Sequence, residues 1–417
     1  MSIGRQRRYR RRVWLTGCLV LAVGLVLVLA VSVYLLLLPT DDGTAALRAK
    51  GYPTTLAELD ALYPEPPVGE NAAEYYVQAG GILNDSTYPD LFWLPMFGKG
   101  ELPPLGTPIF EYMLTEISAF LDYESLAFEL IDEASEFEHS RDPAHDQTGA
   151  SSFREMLKAL QGQYLRTRYF NSRSDAIATL EQLSRLVHLT HSQAQVPVAD
   201  GLMGFTNSVA RTVSAIEFIM NENDLTHDQL NEIDVMLEQL LVEDALVNNI
   251  VAMRCRTLNI MDSPQSFSIF SGLARKNLTD IADEYLEVAE GGLPDELGAF
   301  RALLNHEFSL LEFYAAAFSG PLHSAVLNFY KAQARIDTAR MAIAIQQLRL
   351  DGAALPNDWA SMPETLKERW LIDPFTGRPL RYKRIDDGYI VYSAGRNFID
   401  DGGDASTGGD IVFRVLR

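Results

Sequence analysis

The chain has 417 residues, of which 47% are hydrophobic and 22% charged, and its formal net charge is -21. These proportions describe a folded protein rather than a disordered one, and the length suffices for more than one core. A surface this acidic repels the phosphates of nucleic acid and tolerates bound cations, so no nucleic-acid partner is expected.

The first twelve residues carry six arginines and no acid. Val13–Leu38, "VWLTGCLVLAVGLVLVLAVSVYLLLL", then runs for 26 residues without a charge. As a helix it would rise about 39 Å at ~1.5 Å per residue, more than the ~30 Å hydrocarbon core, so it is expected to span a bilayer with some tilt. Arginines before it and Asp41 and Asp42 after it are expected to place the N-terminus in the cytoplasm and everything after Pro39 outside it. Two other readings fit less well. Ala30-Val31-Ser32 offers a cleavage site, but the apolar run is long for a signal peptide. "LTGC" (Leu15–Cys18) looks like a lipoprotein box, but few apolar residues precede it. The two cysteines, Cys18 and Cys255, lie in the span and in the helical region, which argues against an internal disulfide. Seven scattered histidines lack the common zinc spacings.

After the span, "TLAELDALY" behind Thr54 or Thr55 predicts a short helix that the prolines at 64, 66 and 67 stop. A second helix is expected from Glu70 or Asn71, with Asn as N-cap. Residues 81–108, rich in Pro, Gly and aromatic residues, are expected to lie irregularly over helices. Phe110, Met113, Leu114, Ile117, Phe120 and Leu121 recur at three and four, which predicts an amphipathic helix over 108–138 with a break near Asp122-Tyr123. Helices follow at about 151–171, 173–194, 202–222, 227–260, 274–290 and 295–318, the fourth opened by a capping box of Thr226 and Gln229. Gly320-Pro321 is read as a helix end. Residues 322–350 then form one long helix whose stripe is small: Ala325, Ala332, Ile336, Ala339 and Ile343. "RPLRYKR", "YIVYSA" and "DIVFRVL" are read as three strands, with Asp387-Gly388 at the first turn.

The fold class is therefore mainly α: a transmembrane helix, an irregular helical bundle or stacked helical hairpins, and a small C-terminal α+β module of a long helix and a three-stranded antiparallel sheet. The expected divisions are 1–12 basic and cytoplasmic, 13–38 transmembrane, 39–321 extracytoplasmic and helical, and 322–417 the α+β module.

"ARMAIAIQQLRLDGAALPNDWASM", "DPFTGRPLRYKRIDDGYIVYSAG" and the terminal "GGDIVF" resemble the globular part of the major pseudopilin of type II secretion systems. Asp373-Pro374-Phe375, Gly377, Pro379, Tyr382, Tyr392-Ser393 and Gly395 carry the likeness in order. It covers roughly residues 325–417 and implies an acidic, calcium-binding loop after Tyr-Ser-x-Gly. The pilin processing signal is absent, with Arg12-Val13-Trp14 in its place, and Arg396-Asn397-Phe398 stands where the family often has x-Asp-Gly. The whole layout is similar to a group of bacterial single-pass membrane proteins, a likeness that implies no activity.

"DDGGDASTGGD" (400–410) concentrates Asp400, Asp401, Asp404 and Asp410 among four glycines. Calcium takes six to eight oxygen ligands from carboxylates and backbone carbonyls, which such a loop supplies. Asp401, Asp404 and Asp410, with Asn397 and Asp400 behind them, are the candidate metal ligands, and calcium is the expected structural ion. A solvated turn explains the same composition. His139, Asp142, His145 and Asp146 share a polar connection and could ligate a metal, but nothing apolar nearby would orient the imidazoles and a solvated loop is the better reading. His188 and His191 are three apart on a helix with no acid at ligand spacing. Glu307 beside His306 offers no more than an acid/base pair, and the motifs of nucleotide sites, zinc proteases and serine hydrolases do not occur.

Three functions are carried forward. The first is a membrane-anchored extracytoplasmic binding or scaffolding protein whose partners are the bilayer, through 13–38, and other envelope proteins. The second is a membrane-tethered hydrolase with its site in the helical domain. The third is a secretion-system component. A cleft with convergent titratable groups would favour the enzyme, and an apolar groove would favour binding.

Overall fold

The computed structural model describes residues 21–31, 43–62, 65–141, 150–195, 199–242, 244–261, 271–306, 313–406 and 409–416. The fold is mainly helical and ends in a three-stranded antiparallel sheet. Of the expected membrane span, residues 21–31 are described: they are helical (α1) and every one is exposed. The rest of 13–38 lies outside the described residues, and no described helix is long and apolar enough to cross a membrane.

The early local signals operate as read. Thr55 caps α3 (Leu56–Ala61; α2 is Thr44–Ala49) in a capping box with Glu58, and Asn71 caps α4 (Ala72–Asn84) through Ala73 N. The segment ahead of α3 is pinned from a distance: Pro53 O accepts from Arg254 Nη2 at 3.0 Å and from Cys255 Sγ at 3.2 Å. The amphipathic stretch divides into α5 (Glu111–Tyr123) and α6 (Ser125–Ala134), broken at Glu124.

The helical body continues through α7 (Ala150–Ser172), α8 (Ala176–Ala194) and α9 (Ala199–Glu222). A Cβ at Gly80 would come within 1.7 Å of Glu155 O, and one at Gly162 within 2.8 Å of Leu83 Cδ1, so both glycines let α4 and α7 touch. Polar side chains stitch the interior: Gln163 Nε2 donates to Gln182 O at 2.9 Å, Thr190 and Thr212 pair at 2.9 Å, and Asn223 Nδ2 donates to Asn171 Oδ1 at 2.6 Å. Arg168 is fully buried, its guanidinium 3.1 Å over the Phe218 ring and 3.6 Å from Glu222.

Three expected boundaries differ. The helix expected over 227–260 is two, α10 (His227–Glu238) and α11 (Ala245–Met261), with Leu240 buried in the connection between them. After α12 (Ser271–Gly291), α13 (Leu293–Leu304) ends short of the expected Phe318. Gly320-Pro321 ends nothing: α14 runs through it from Phe313 to Leu350. Pro321 lies inside the helix, where it removes one N–H bond and crowds the carbonyl a turn before it, a local cost that the packing of a 38-residue helix outweighs. The small stripe faces inward as read, with Ala332, Ile336, Ala339 and Ile343 all buried. The apolar core is continuous across residue 322, from Leu59 to Val415.

The sheet order is β1-β2-β3, with β1 Arg381–Ile385, β2 Gly388–Ser393 and β3 Ile411–Leu416. Asp386 and Asp387 form the first turn, one position earlier than the expected Asp387-Gly388, and Gly388 already pairs with Ile385. Every residue of β2 is buried, and Tyr389 Oη donates to Ala342 O of α14 at 2.8 Å. Among the described residues the outer edge of β3 meets no further strand; α9 serves instead. Glu217 accepts from Arg414 N at 2.7 Å, while Asn221 accepts from Leu416 N at 2.5 Å and donates to Arg414 O at 2.9 Å. Two side chains one turn apart thus satisfy an edge that would otherwise bury unpaired backbone.

Burial pushes the Glu217 carboxyl up to about 7, against the Arg414 amide that lowers it. The folded state therefore holds a proton that the unfolded chain releases near its ordinary range, and stability falls as pH rises from about 4.5 through about 7. Glu217→Gln keeps an acceptor oxygen without the titration. Thermal unfolding from pH 5 to 8 is expected to show a smaller loss of melting temperature in the variant than in the wild type; superimposable profiles would refute the assignment.

Candidate functional site

The motif residues of the C-terminal module meet at one buried carboxylate. Asp373 is 0% exposed. Its Oδ1 accepts from Ser393 Oγ at 2.7 Å and Phe375 N at 3.0 Å; its Oδ2 accepts from Thr376 Oγ1 at 2.8 Å, Arg381 Nη1 at 3.0 Å and Ala394 N at 3.1 Å. Asp-Pro-Phe-x-Gly and Tyr-Ser-x-Gly are thus two halves of one hydrogen-bonded joint. The five donors compensate for taking the charge out of water. Arg381 continues outward, its Nε donating to Asp400 Oδ2 at 2.7 Å.

All five expected ligands occur in the loop between β2 and β3, and most are engaged with the chain itself. Asn397 sits in the 3-10 turn Gly395–Asn397; its Nδ2 donates to Asp401 Oδ2 at 2.8 Å and its Oδ1 accepts from Ile399 N at 3.0 Å. Asp400 takes Arg381 and Gly402 N, and Asp404 takes Ser406 N at 2.8 Å. Asp410, 3% exposed, accepts from Gly403 N at 2.6 Å and Asp401 N at 3.2 Å, and burial pushes its carboxyl upward. Asp401 and Asp404 come together at Gly409, where a Cβ would lie 2.3 Å from Asp401 Oδ2 and 2.9 Å from Asp404 O. Among the described residues, no three His, Cys, Asp or Glu side chains converge as a metal-ligand set. The arrangement fits an oxygen-lined turn closed by its own amides.

His188 and His191 are held in structural hydrogen bonds. His188 Nδ1 accepts from Tyr76 Oη at 2.6 Å and its Nε2 donates to Phe137 O at 2.8 Å, a neutral tautomer that burial favours by lowering its pKa. His191 Nδ1 donates to Gln239 O at 2.8 Å. His139 O accepts from Ala72 N at 2.9 Å, whereas Asp142, His145, Asp146 and Glu307 lie outside the described residues. The aromatic segment is divided: Leu94 is buried and Phe97 packs its ring, tilted, against Phe120 at 4.9 Å, while Phe92 and Trp93 are exposed.

Sequence reasoning missed an open cavity of about 510 Å³ beside α14, walled by Phe205, Leu240, Phe329, Ile336, Ile372 and Pro374. Glu290 is the one carboxylate among its described lining. A smaller cavity, about 250 Å³, gathers Glu284, Glu287 and His306 between α12 and α13. The walls of the larger one come from helices far apart in the chain, so no local pattern marks it. Comparison with protein-family models, curated proteins and solved structures returns no match for this chain.

Arg381→Met leaves Asp373 buried with its cation removed. The expected loss is about 3 kcal/mol of stability, the range for breaking one half of a buried pair. Denaturant unfolding checks it; a loss within experimental error would mean that the amides and hydroxyls suffice.

Proposed function

We propose that this chain is a single-pass protein of the bacterial inner membrane, N-terminus inside, whose acidic extracytoplasmic body binds or scaffolds other envelope proteins. The observation that carries the anchoring is the uncharged stretch itself. Its described part, residues 21–31, is a helix exposed on every side, and an apolar helix that buries nothing in protein is stable in lipid. Binding rather than catalysis is supported by the larger cavity, which is apolar and holds a single carboxylate where acid–base chemistry needs convergent groups. The hydrolase alternative has one specific support, the Glu284, Glu287 and His306 cavity. The secretion-system alternative rests on the pseudopilin likeness, to which the Asp373 joint gives a physical basis.

A phosphatase fused at the C-terminus is expected to be active and a fluorescent protein fused there dark; the reverse pattern removes the envelope role. Crosslinking and pull-down from native membranes then reads the partners: recovery of a secretion ATPase or platform favours the secretion component, and other envelope proteins favour the scaffold.

A structural calcium in the 397–410 loop is the second part of the proposal. Its support is the approach of the Asp401 carboxylate and the Asp404 carbonyl at Gly409. Asp401 and Asp404 would supply those oxygens, and the ion would offset the repulsion among Asp400, Asp401, Asp404 and Asp410. Millimolar calcium is expected to raise the melting temperature of the detergent-solubilised chain, and not that of Asp401→Asn. No shift in the wild type ends this part and leaves the scaffold reading standing.

A further inference from the structure

Lys331 and Arg335 lie one turn apart on α14, both half-buried, and the turn Gly395–Asn397 packs against that helix and brings in Arg396. Arg396 and Arg335 are close enough for their charges to act on Lys331, and together with burial they lower its pKa. Arg335 is likewise held low by burial. Beside them Arg301 of α13 lies 5.0 Å over the ring of Phe398. Among the described residues, Lys331, Arg335 and Arg396 form no ion pair and no side-chain hydrogen bond.

Asp337, two positions along α14 from Arg335, is buried, and burial raises its carboxyl well above the usual carboxylate range. The nearby loop carboxylates are engaged with the chain itself. Asp400 is held by Arg381, Asp401 by Asn397, and Asp410 by the amides of Asp401 and Gly403. In a chain of net charge -21, three cations gathered without an ion pair among the described residues stand apart from the composition. Like charges brought together and partly taken out of water oppose folding unless an anion joins them. Two guanidinium forks and one ammonium match the planar and point-charge recognition of a tetrahedral oxyanion.

We propose that Lys331, Arg335 and Arg396 form a binding site for a phosphate-type oxyanion, seated between the long helix and the turn that follows β2. The source is a soluble phosphate or the headgroup of an anionic lipid, which share this chemistry. The site does not depend on calcium or on the scaffold reading.

The test uses the full chain in phosphatidylcholine nanodiscs, titrated with inorganic phosphate against chloride of equal ionic strength, and the same chain in nanodiscs containing phosphatidylglycerol. Millimolar phosphate is expected to raise the melting temperature of the wild type. Arg396→Gln, an exposed change, is expected to need roughly tenfold more phosphate, the loss of one charge-assisted contact. Without phosphate that variant is expected to be no less stable than the wild type, since it relieves repulsion. Lys276→Gln, in a lysine paired with Asp280 on α12, is expected to titrate as the wild type does. A rise only in phosphatidylglycerol, lost in Arg396→Gln, supports the lipid source. No rise with either anion, or a rise that Arg396→Gln leaves unchanged, overturns the proposal.

Discussion

A sheet of three strands has two edges, and an edge that is buried must find partners for its backbone. Glu217 and Asn221 supply them for β3, and this constraint joins the helical body to the terminal sheet. Because those side chains belong to α9, β3 can sit where it does only if α9 is already packed. The alanine stripe of α14 serves the same end, since small side chains let a neighbour approach closely. The apolar core accordingly runs without interruption from the helices into the sheet.

Within the sheet module the second determinant is a charge. Asp373 is wholly buried and collects five donors from three stretches of the sequence: two hydroxyls, a guanidinium and two amides. Arg381 ties that centre to Asp400 and so to the acidic loop. The loop is therefore ordered from its base by a salt bridge and from its far end by the buried Asp410. The aspartates act first as acceptors of the chain's own hydrogen bonds, and any cation they hold is additional to that role.

The surface carries opposite electrostatic tendencies close together. The 400–410 loop concentrates negative charge, while Lys331, Arg335 and Arg396 gather positive charge next to it without forming ion pairs among the described residues. The separation persists because hydrogen bonds within the loop already orient its carboxylates.

The sequence by itself determined what depends on neighbours in the chain. Capping at Thr55, Asn71 and Thr226, the break at Glu124, the small stripe of α14 and the three strands all follow from periodicity and side-chain–backbone competition, which act over a few residues. The five candidate ligands were legible as an Asp/Gly cluster, but which carboxylate faces an amide, an arginine or solvent was not. Helix continuity through Pro321, the split between α10 and α11, the α9 clamp, the Asp373 joint and the two cavities were decided only by tertiary structure. Each depends on groups tens to hundreds of residues apart, such as Asn221 and Arg414, whose meeting is set by packing and leaves no local pattern to read.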